Sequence, residues 1–334
     1  MISWHNKKFR LMAATVALGV ALGLAGCGGD KKDGGRKASV KVGVVQLVEH
    51  AALDAANKGF TAGLASKGFK EGENISFDRQ NAQADQSNLQ NIAHRFVSNK
   101  VDLICAIATP AAQTAANVAG DIPIVATAVT DYKAAKLVKD NAKPGTNVTG
   151  TTDMNPVAEQ LDLLLKIAPG VKTVGTVYSS SEVNSQLQVE LLKQAAAAKG
   201  ITVKEATVST VNDIQQAARS LAGEVQAFYI PTDNVLASAV PTLVSITEEA
   251  KLPVIGGEGG MVKAGCLATL GVDYFKLGFQ AGEMAADILS GKSKPAEMAI
   301  QSQKEFKVII NTREAEKIGI KIPEELLKGA ELVK

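Results

Sequence analysis

The 334-residue chain is close to electrically neutral, with 36 Lys and Arg residues, 34 Asp and Glu residues and a formal net charge of +2. It holds no cluster of basic residues interleaved with aromatic ones, which argues against nucleic acid as a partner. Hydrophobic residues make up 46% of the chain but aromatic residues only 4%, so the core must be built from Ala, Val, Leu and Ile, as in α/β proteins. The length is enough for two domains of common size.

The N-terminus has the features of an export signal. The first ten residues carry three basic residues and no acid, and the uncharged run Leu11–Gly26 follows. A membrane-spanning helix needs about 20 apolar residues, so this run is short for a permanent anchor. Small residues lead directly into Cys27, which resembles the lipobox of bacterial lipoproteins. We therefore predict a signal peptide over 1–27 that ends at a lipidated Cys27, and a flexible Gly-rich tether over 28–38.

From Val40 onward, short apolar runs alternate with helical patterns in two matching blocks. In the first block, strands are predicted over 40–45, 74–78, 102–108 and 122–126, and helices over 52–67, 88–98 and 111–119. In the second block, strands are predicted over 171–177, 203–207, 225–230 and 253–256, and helices over 185–199, 213–222 and 235–250. Val40 and Pro123 are 83 residues apart, and their counterparts Val171 and Pro253 are 82 apart. We predict two doubly wound parallel-sheet lobes, with 146–155 as the first crossover between them.

No motif indicates a metal, a cofactor or catalysis. Gly291-Lys292-Ser293 looks like the end of a phosphate loop, but the glycine that such a loop requires is replaced by Ala286. Cys105 and Cys266 lie in apolar runs and are expected to be buried free thiols, although a disulfide between them is possible in an oxidising compartment. We expect no cofactor, no metal and no enzyme activity.

The architecture itself locates a binding site. In open parallel sheets, ligands bind beyond the carboxyl ends of the strands. The loops at that position form three pairs: 46–54 with 178–185, 108–111 with 231–234, and 126–132 with 256–260. They are rich in Ser, Thr, Asn, Asp and Glu, and they contain no Lys or Arg. Two lobes facing each other across these loops would form a cleft that closes on a solute by hinge motion.

Five sequence runs carry a family resemblance. The runs 45–54, 107–113, 126–131, 147–150 and 231–234 resemble the solute-binding lipoproteins of a bacterial ABC importer family. Members of that family with recognised ligands bind the aromatic amino acids tryptophan and phenylalanine. The chain departs from the pattern at Ala51, where proline is expected in many relatives, and at Gly259-Gly260; both could alter the shape of the cleft.

The resemblance implies a type I periplasmic-binding-protein fold with three hinge crossings. The helix at 275–289 would then return to the first lobe, and the segment from about Ala296 would rejoin the second. The expected lobes are therefore 39–149 with 273–294, and 150–272 with 295–334.

An amino acid needs acceptors for its ammonium group and donors for its carboxylate. Glu49, Asp233 and Glu258 are candidates for the ammonium group. Candidates for the carboxylate are four hydroxyl residues that precede predicted helices: Thr109, Ser180, Ser181 and Thr232. The alternative is that they serve only as helix caps. Tyr132, Tyr178 and Tyr274 could flank an apolar side chain or pack in the core, and Asp153 could bind ligand or only organise the hinge. The full set of predicted ligand-binding residues is Glu49, His50, Thr109, Asp153, Tyr178, Ser180, Ser181, Asn184, Ser185, Thr232, Asp233, Asn234 and Glu258.

The sequence therefore predicts an extracytoplasmic solute-binding component of an ABC importer. It would capture a small solute, expected to be an aromatic amino acid such as tryptophan or phenylalanine, and deliver it to a permease and its ATPase. We expect a monomer held by the lipid on Cys27 at the outer face of the cell membrane or in the periplasm. The alternatives are a ligand-sensing receptor that feeds a membrane signalling protein, and a secreted enzyme.

Overall fold

The computed structural model describes residues 39–334; the predicted signal peptide, Cys27 and the predicted tether lie outside the described residues. The strands are β1 (Val40–Gln46), β2 (Ile75–Asn81), β3 (Leu103–Ile107), β4 (Ile124–Val129), β5 (Val148–Thr152), β6 (Thr173–Ser179), β7 (Thr202–Val208), β8 (Ala227–Ile230), β9 (Val254–Gly256), β10 (Ala268–Gly271), β11 (Gln301–Ser302), β12 (Lys307–Asn311) and β13 (Glu331–Val333). The helices are α1 (Ala51–Ser66), α2 (Gln86–Ser98), α3 (Thr109–Val118), α4 (Val157–Ile167), α5 (Val183–Ala197), α6 (Ile214–Ala222), α7 (Asn234–Ser238), α8 (Val240–Glu249), α9 (Gly259–Lys263), α10 (Tyr274–Leu289), α11 (Thr312–Ile318) and α12 (Glu324–Leu327).

The strands form two sheets, one in each α/β lobe. The first sheet has the order β11-β5-β4-β3-β1-β2, and the second has the order β13-β12-β10-β9-β8-β6-β7. The five strands β2-β1-β3-β4-β5 of the first lobe therefore correspond to β7-β6-β8-β9-β10 of the second. Each central strand is buried on both faces, as the continuous apolar runs predict. The predicted fold class of two doubly wound lobes is confirmed.

The chain passes between the lobes three times: after Thr152, between Gly271 and Tyr274, and after Ser302. The predicted boundaries were 149/150, 272/273 and 294/295. The first crossing lies later because β5 pairs with β4 through Thr152. The third lies later because Gln301 and Ser302 extend the first sheet by pairing with Thr151 and Thr152.

Hydrogen bonds join the three crossings to one another. The Asn155 side chain accepts from the Val272 N–H at 3.1 Å, which joins the first crossing to the second. The Gln303 side chain joins the third crossing to the second, since it accepts from the Asp273 N–H at 3.1 Å and donates to the Asp273 carbonyl at 2.6 Å. The three crossings thus form one connected hinge.

Helices α1 and α10 are in backbone contact in the first lobe. A Cβ atom on Gly59 would lie 2.1 Å from the Phe275 carbonyl oxygen, and one on Gly278 would lie 1.9 Å from the Ala56 carbonyl oxygen. Only glycine permits this approach. Because α10 begins at the second crossing and α1 begins at the cleft, the glycine contact ties the cleft edge to the hinge.

Several details differ from the sequence-based expectations. The segment expected to be only a crossover contains β5, and the expected helix over 235–250 is divided into α7 and α8, since Pro241 cannot continue a hydrogen-bonded helix. Strand β12 is antiparallel to β10, so the second sheet is mixed.

Cys105 and Cys266 are buried free thiols in different lobes, which excludes a disulfide between them. Within residues 39–334, no helix combines the length and apolar character needed to cross a bilayer.

Candidate functional site

The carboxyl edges of the two sheets face each other across a closed cleft. His50 of the first lobe reaches Asn234 of the second, with 3.3 Å between Nε2 and Oδ1, and the hydroxyl oxygens of Thr130 and Thr232 are 3.4 Å apart. These contacts enclose a cavity of about 10 Å³, which is room for about one water molecule. The cavity is lined by His50, Leu53, Ala128, Thr130, Asp153, Asn184, Thr232, Asp233, Asn234, Ala237, Glu258, Met261 and Tyr274. A larger solute therefore enters only when the lobes separate.

The cavity lining contains three carboxylates and no Lys or Arg. Asp153, in the first crossing, accepts from the Thr130 hydroxyl at 3.0 Å and from the Tyr274 hydroxyl at 2.6 Å. Burial raises the pKa of the Asp153 carboxyl. Burial also raises the pKa of Glu258, to about 7. Buried carboxylates without a cationic partner favour any cation that enters.

Two of these carboxylates also begin helices of the second lobe. Asp233 caps α7 by accepting from the Leu236 N–H at 2.9 Å, and it also accepts from the Ser185 hydroxyl at 2.7 Å. Glu258 caps α9 by accepting from the N–H groups of Met261, at 2.9 Å, and Gly260. The positive ends of the helices stabilise both acids.

A fourth buried carboxylate, Glu182, lies behind the cavity wall. It accepts from the Asn184 side chain at 2.9 Å and from the Asn234 side chain at 2.5 Å. Burial and the neighbouring Asp233 raise the pKa of Glu182. Glu182 therefore fixes the orientation of two asparagines that line the cavity.

Some buried polar atoms have no hydrogen-bond partner among residues 39–334. They include the Nδ1 atom of His50 and the Oδ1 atom of Asn184, both from residues that line the cavity, and the hydroxyl oxygen of Thr109. Burial lowers the pKa of His50 and favours the neutral ring, which has both a donor and an acceptor nitrogen. Unpartnered buried groups are costly in a folded protein, and a bound ligand would satisfy them.

The structure brings about half of the predicted site residues to the cavity: His50, Asp153, Asn184, Thr232, Asp233, Asn234 and Glu258. Ser185 supports Asp233 from behind, and Thr109 is the buried first residue of α3, outside the lining. Glu49 lies in a separate outer groove beside α1.

Three more predicted residues do not reach the cavity. The Tyr178 hydroxyl donates to Glu205 at 3.1 Å, while Ser180 and Ser181 are exposed. Tyr132, a possible wall, is instead buried in the first lobe, where its hydroxyl donates to two backbone carbonyl oxygens. The end of β6 reaches Asp233 through the backbone N–H of Ser179, at 2.7 Å, and not through the side chains of Tyr178, Ser180 or Ser181.

Sequence reasoning missed Leu53, Ala128, Thr130, Ala237 and Met261 among the lining residues, and it left Tyr274 undecided. Thr130 lay within a predicted loop, and its hydroxyl could have been selected beside Asp131. Leu53 and Ala128 lie within the predicted loops, but their apolar side chains, like that of Met261, have the same character as core residues and were not selected.

The site suits binding better than chemistry. Its acids are held by helix caps and hydrogen bonds, and residues 39–334 contain no group of three or more His, Cys, Asp or Glu residues that could hold a metal. The cavity favours a cationic group and lies between two lobes that are joined by a hinge. This is the geometry of a solute-binding protein.

Comparisons with known proteins agree with this geometry. Residues 41–334 match the family model described as ABC transporter substrate binding protein. A tyrosine-binding protein of Clostridioides difficile is 43% identical over 314 residues, which cover 92% of this chain and 90% of the relative.

Two solved structures are also similar. A Streptococcus pneumonia domain in complex with L-Trp has a TM-score of 0.86 at 39% identity, and the match covers 89% of this chain and 100% of that one. A ligand-free, open substrate-binding protein from Clostridium difficile has a lower TM-score, 0.68, at a higher identity of 46%, with 88% and 99% covered. The lower TM-score against the open structure is expected if the lobes of the present chain are closed. The chain belongs to the ABC transporter substrate-binding protein family, has the type I periplasmic-binding-protein fold, and is a solute-binding protein and not an enzyme.

Proposed function

We propose that this chain captures an aromatic amino acid, such as tyrosine, tryptophan or phenylalanine, for an ABC importer. The observation that carries the proposal is the buried interlobe cavity, whose lining includes Asp153, Asp233 and Glu258 and no Lys or Arg. Such a cavity selects a ligand with a cationic group. The C. difficile relative named as tyrosine-binding and the pneumococcal structure with L-Trp support an aromatic side chain.

Two helix N-termini of the first lobe support a position for the ligand carboxylate. The N-terminal residues of α1 and α3 follow His50 and Ala108, and neither helix receives a side-chain cap. Uncapped N–H groups at a helix N-terminus bind anions well. In this proposal, the carboxylate lies toward the first lobe, and the ammonium group lies toward Asp153 and Glu258.

Titration calorimetry with L-Tyr, L-Trp and L-Phe tests the proposal. Tryptamine, which lacks the carboxylate, and indole-3-propionate, which lacks the ammonium group, are the matched controls for L-Trp. Each should bind at least about tenfold more weakly than L-Trp, since a hydrogen bond to a charged group contributes about 1.5–3 kcal/mol. Absence of binding by all three amino acids would refute the proposed ligand class.

We also propose that the protein is a monomer anchored by a lipid on Cys27, outside the cytoplasm, where it delivers its solute to a permease driven by an ATPase. The predicted signal and the Gly-rich segment before Val40 support this arrangement. In cells given labelled palmitate, the wild-type protein should carry the label, and a Cys27→Ala variant should not. Label on the variant would contradict lipidation at Cys27.

A further inference from the structure

A second cavity adjoins the first between the two lobes. It has a volume of about 230 Å³ and shares Glu258 and Tyr274 with the small cavity. We call it the interlobe groove. Its first-lobe wall is the start of α1 and α10, and its second-lobe wall is α9 with strand β12.

Small residues keep the groove open. Ala51, Ala52 and Ala55 line it from α1, and Gly259 and Gly260 line it from α9. A Cβ atom on Gly260 would lie 3.0 Å from the Ala51 Cβ, and one on Gly259 would lie 2.6 Å from Ile309 Cδ1. Larger residues at these positions would therefore fill the groove or hold the lobes apart.

The groove has the size and surface that an aromatic ring needs. An engineered apolar cavity of about 150 Å³ binds benzene, so 230 Å³ is enough for a phenol or an indole. Phe275, at the start of α10, lines the groove and is 44% exposed, so its ring is accessible to a ligand there. Lys263 and Glu331 also line the groove, 3.5 Å apart, and offer hydrogen bonds to the polar end of a ring.

The small cavity cannot hold the side chain itself. It has about 10 Å³ of space, and its three carboxylates suit the ammonium group. We propose that the aromatic side chain of the ligand passes Glu258 and Tyr274 and lies in the interlobe groove, against Phe275 and the three alanines of α1. This inference rests on the proposed function, and it assigns ligand selection by size to Ala51, Ala55 and Phe275.

Calorimetry on two variants tests the proposal. Ala55→Leu shortens the groove and should weaken L-Trp binding by at least about tenfold, with a smaller loss for L-Phe, because indole is the larger ring. Phe275→Ala removes the aromatic wall without obstructing closure, and it should weaken all three aromatic amino acids about threefold to tenfold. Ala62→Leu is the matched control, since Ala62 is a half-buried alanine of the same helix that faces the outer groove; its affinities should remain within about twofold of wild type.

The outcomes separate this inference from the proposed function. Wild-type affinities in both Ala55→Leu and Phe275→Ala would overturn the groove assignment while leaving amino-acid binding intact. Equal weakening of L-Trp and L-Phe by Ala55→Leu, with no effect of Phe275→Ala, would show obstructed closure and would also overturn it. If the wild-type protein binds no aromatic amino acid, the proposed function and the groove assignment fail together.

Discussion

The two lobes place different chemistry at the cleft, although their five matching strands have the same order. In the second lobe, α7 and α9 begin at carboxylates, Asp233 and Glu258, which accept hydrogen bonds from first-turn N–H groups. In the first lobe, α1 and α3 begin at His50 and Ala108, and no side chain caps either helix. One edge is therefore acidic, and the other presents helix N-termini.

The lobes also differ in how their helices are held. Helix α1 is fixed by backbone contact with α10 through glycines, whereas α4 and α5 of the second lobe pack through aliphatic side chains such as Leu161 and Leu192. Aliphatic packing tolerates small adjustments, but a backbone contact does not. The donor edge thus has a more rigid support than the acidic edge.

The largest expected effect comes from breaking that rigid support. Gly278→Ala should lower the free energy of unfolding by about 2–3 kcal/mol, because the new methyl group would overlap the Ala56 carbonyl. Denaturant unfolding measures the change. Gly223→Ala at the end of α6 is the control, since no atom lies within 4 Å of a Cβ there, and it should change stability by less than about 0.5 kcal/mol. Equal stabilities for the two variants would show that the glycine contact is unimportant.

The next effect concerns the acidic edge. Glu258→Gln keeps the size of the side chain but removes its charge, so affinity for an amino acid at pH 8 should fall about tenfold to a hundredfold. The exposed Glu49 lies outside the cavity, and Glu49→Gln should retain wild-type affinity. If both variants bind equally well, the ammonium group is not held by Glu258.

The acidic edge should also make the ligand-free protein pH-dependent. Burial raises the pKa of Glu258 from its ordinary value of 4.5 to about 7, and it raises the pKa of Asp153 and Asp233. The folded protein holds these protons more tightly than the unfolded chain, so this stabilisation is complete below about pH 4.5 and is lost as the pH rises through 7. The pKa of His50 is lowered, so its contribution to the free energy of unfolding is complete above about pH 6.5 and decreases as the pH falls below that value.

Denaturant unfolding between pH 5 and pH 8 should therefore show a falling free energy of unfolding for the ligand-free protein, and Glu258→Gln should flatten the slope. Affinity for the amino acid should rise over the same interval, since its ammonium group favours ionised carboxylates. A stability profile that rises from pH 6.5 to pH 8 would contradict the assignment.

The smallest effect is expected at the donor edge. Thr109→Val removes a buried hydroxyl that has no hydrogen-bond partner among residues 39–334, so stability should change by less than about 1 kcal/mol. If this hydroxyl binds the carboxylate in the ligand complex, affinity should fall about threefold to tenfold. An unchanged affinity would assign the carboxylate to backbone N–H groups alone.

Much of the fold could be predicted because periodicity and duplication are properties of the sequence. The block beginning at Val171 repeats the block beginning at Val40, and each predicted strand and helix of the two blocks overlaps an observed one. Strand β5 could not be recognised from Val148-Thr149-Gly150-Thr151-Thr152, since its strand conformation depends on pairing with β4 and β11. The break at Pro241 is a local signal that could have been used.

The site was less predictable than the fold, because whether a residue lines the cavity depends on its exact position and direction at the end of a strand. A shift of one position reverses the direction of a side chain. At the end of β6 the contact with Asp233 is made by the Ser179 backbone N–H, while Ser180 and Ser181 are exposed. The cap role of Asp233 could be seen from its place before α7, but its contact with Ser185, 48 residues away, required the folded chain.

The connected hinge has a consequence for the kinetics of the protein. Side chains on the first and third crossings both bind the backbone of the second, so the three segments cannot rotate independently. Lobe separation is then a single collective motion about one axis. Asp153, in the first crossing, accepts a hydrogen bond from Tyr274, at the end of the second, and both line the cavity; lobe closure should therefore follow one exponential time course rather than a series of separate loop movements.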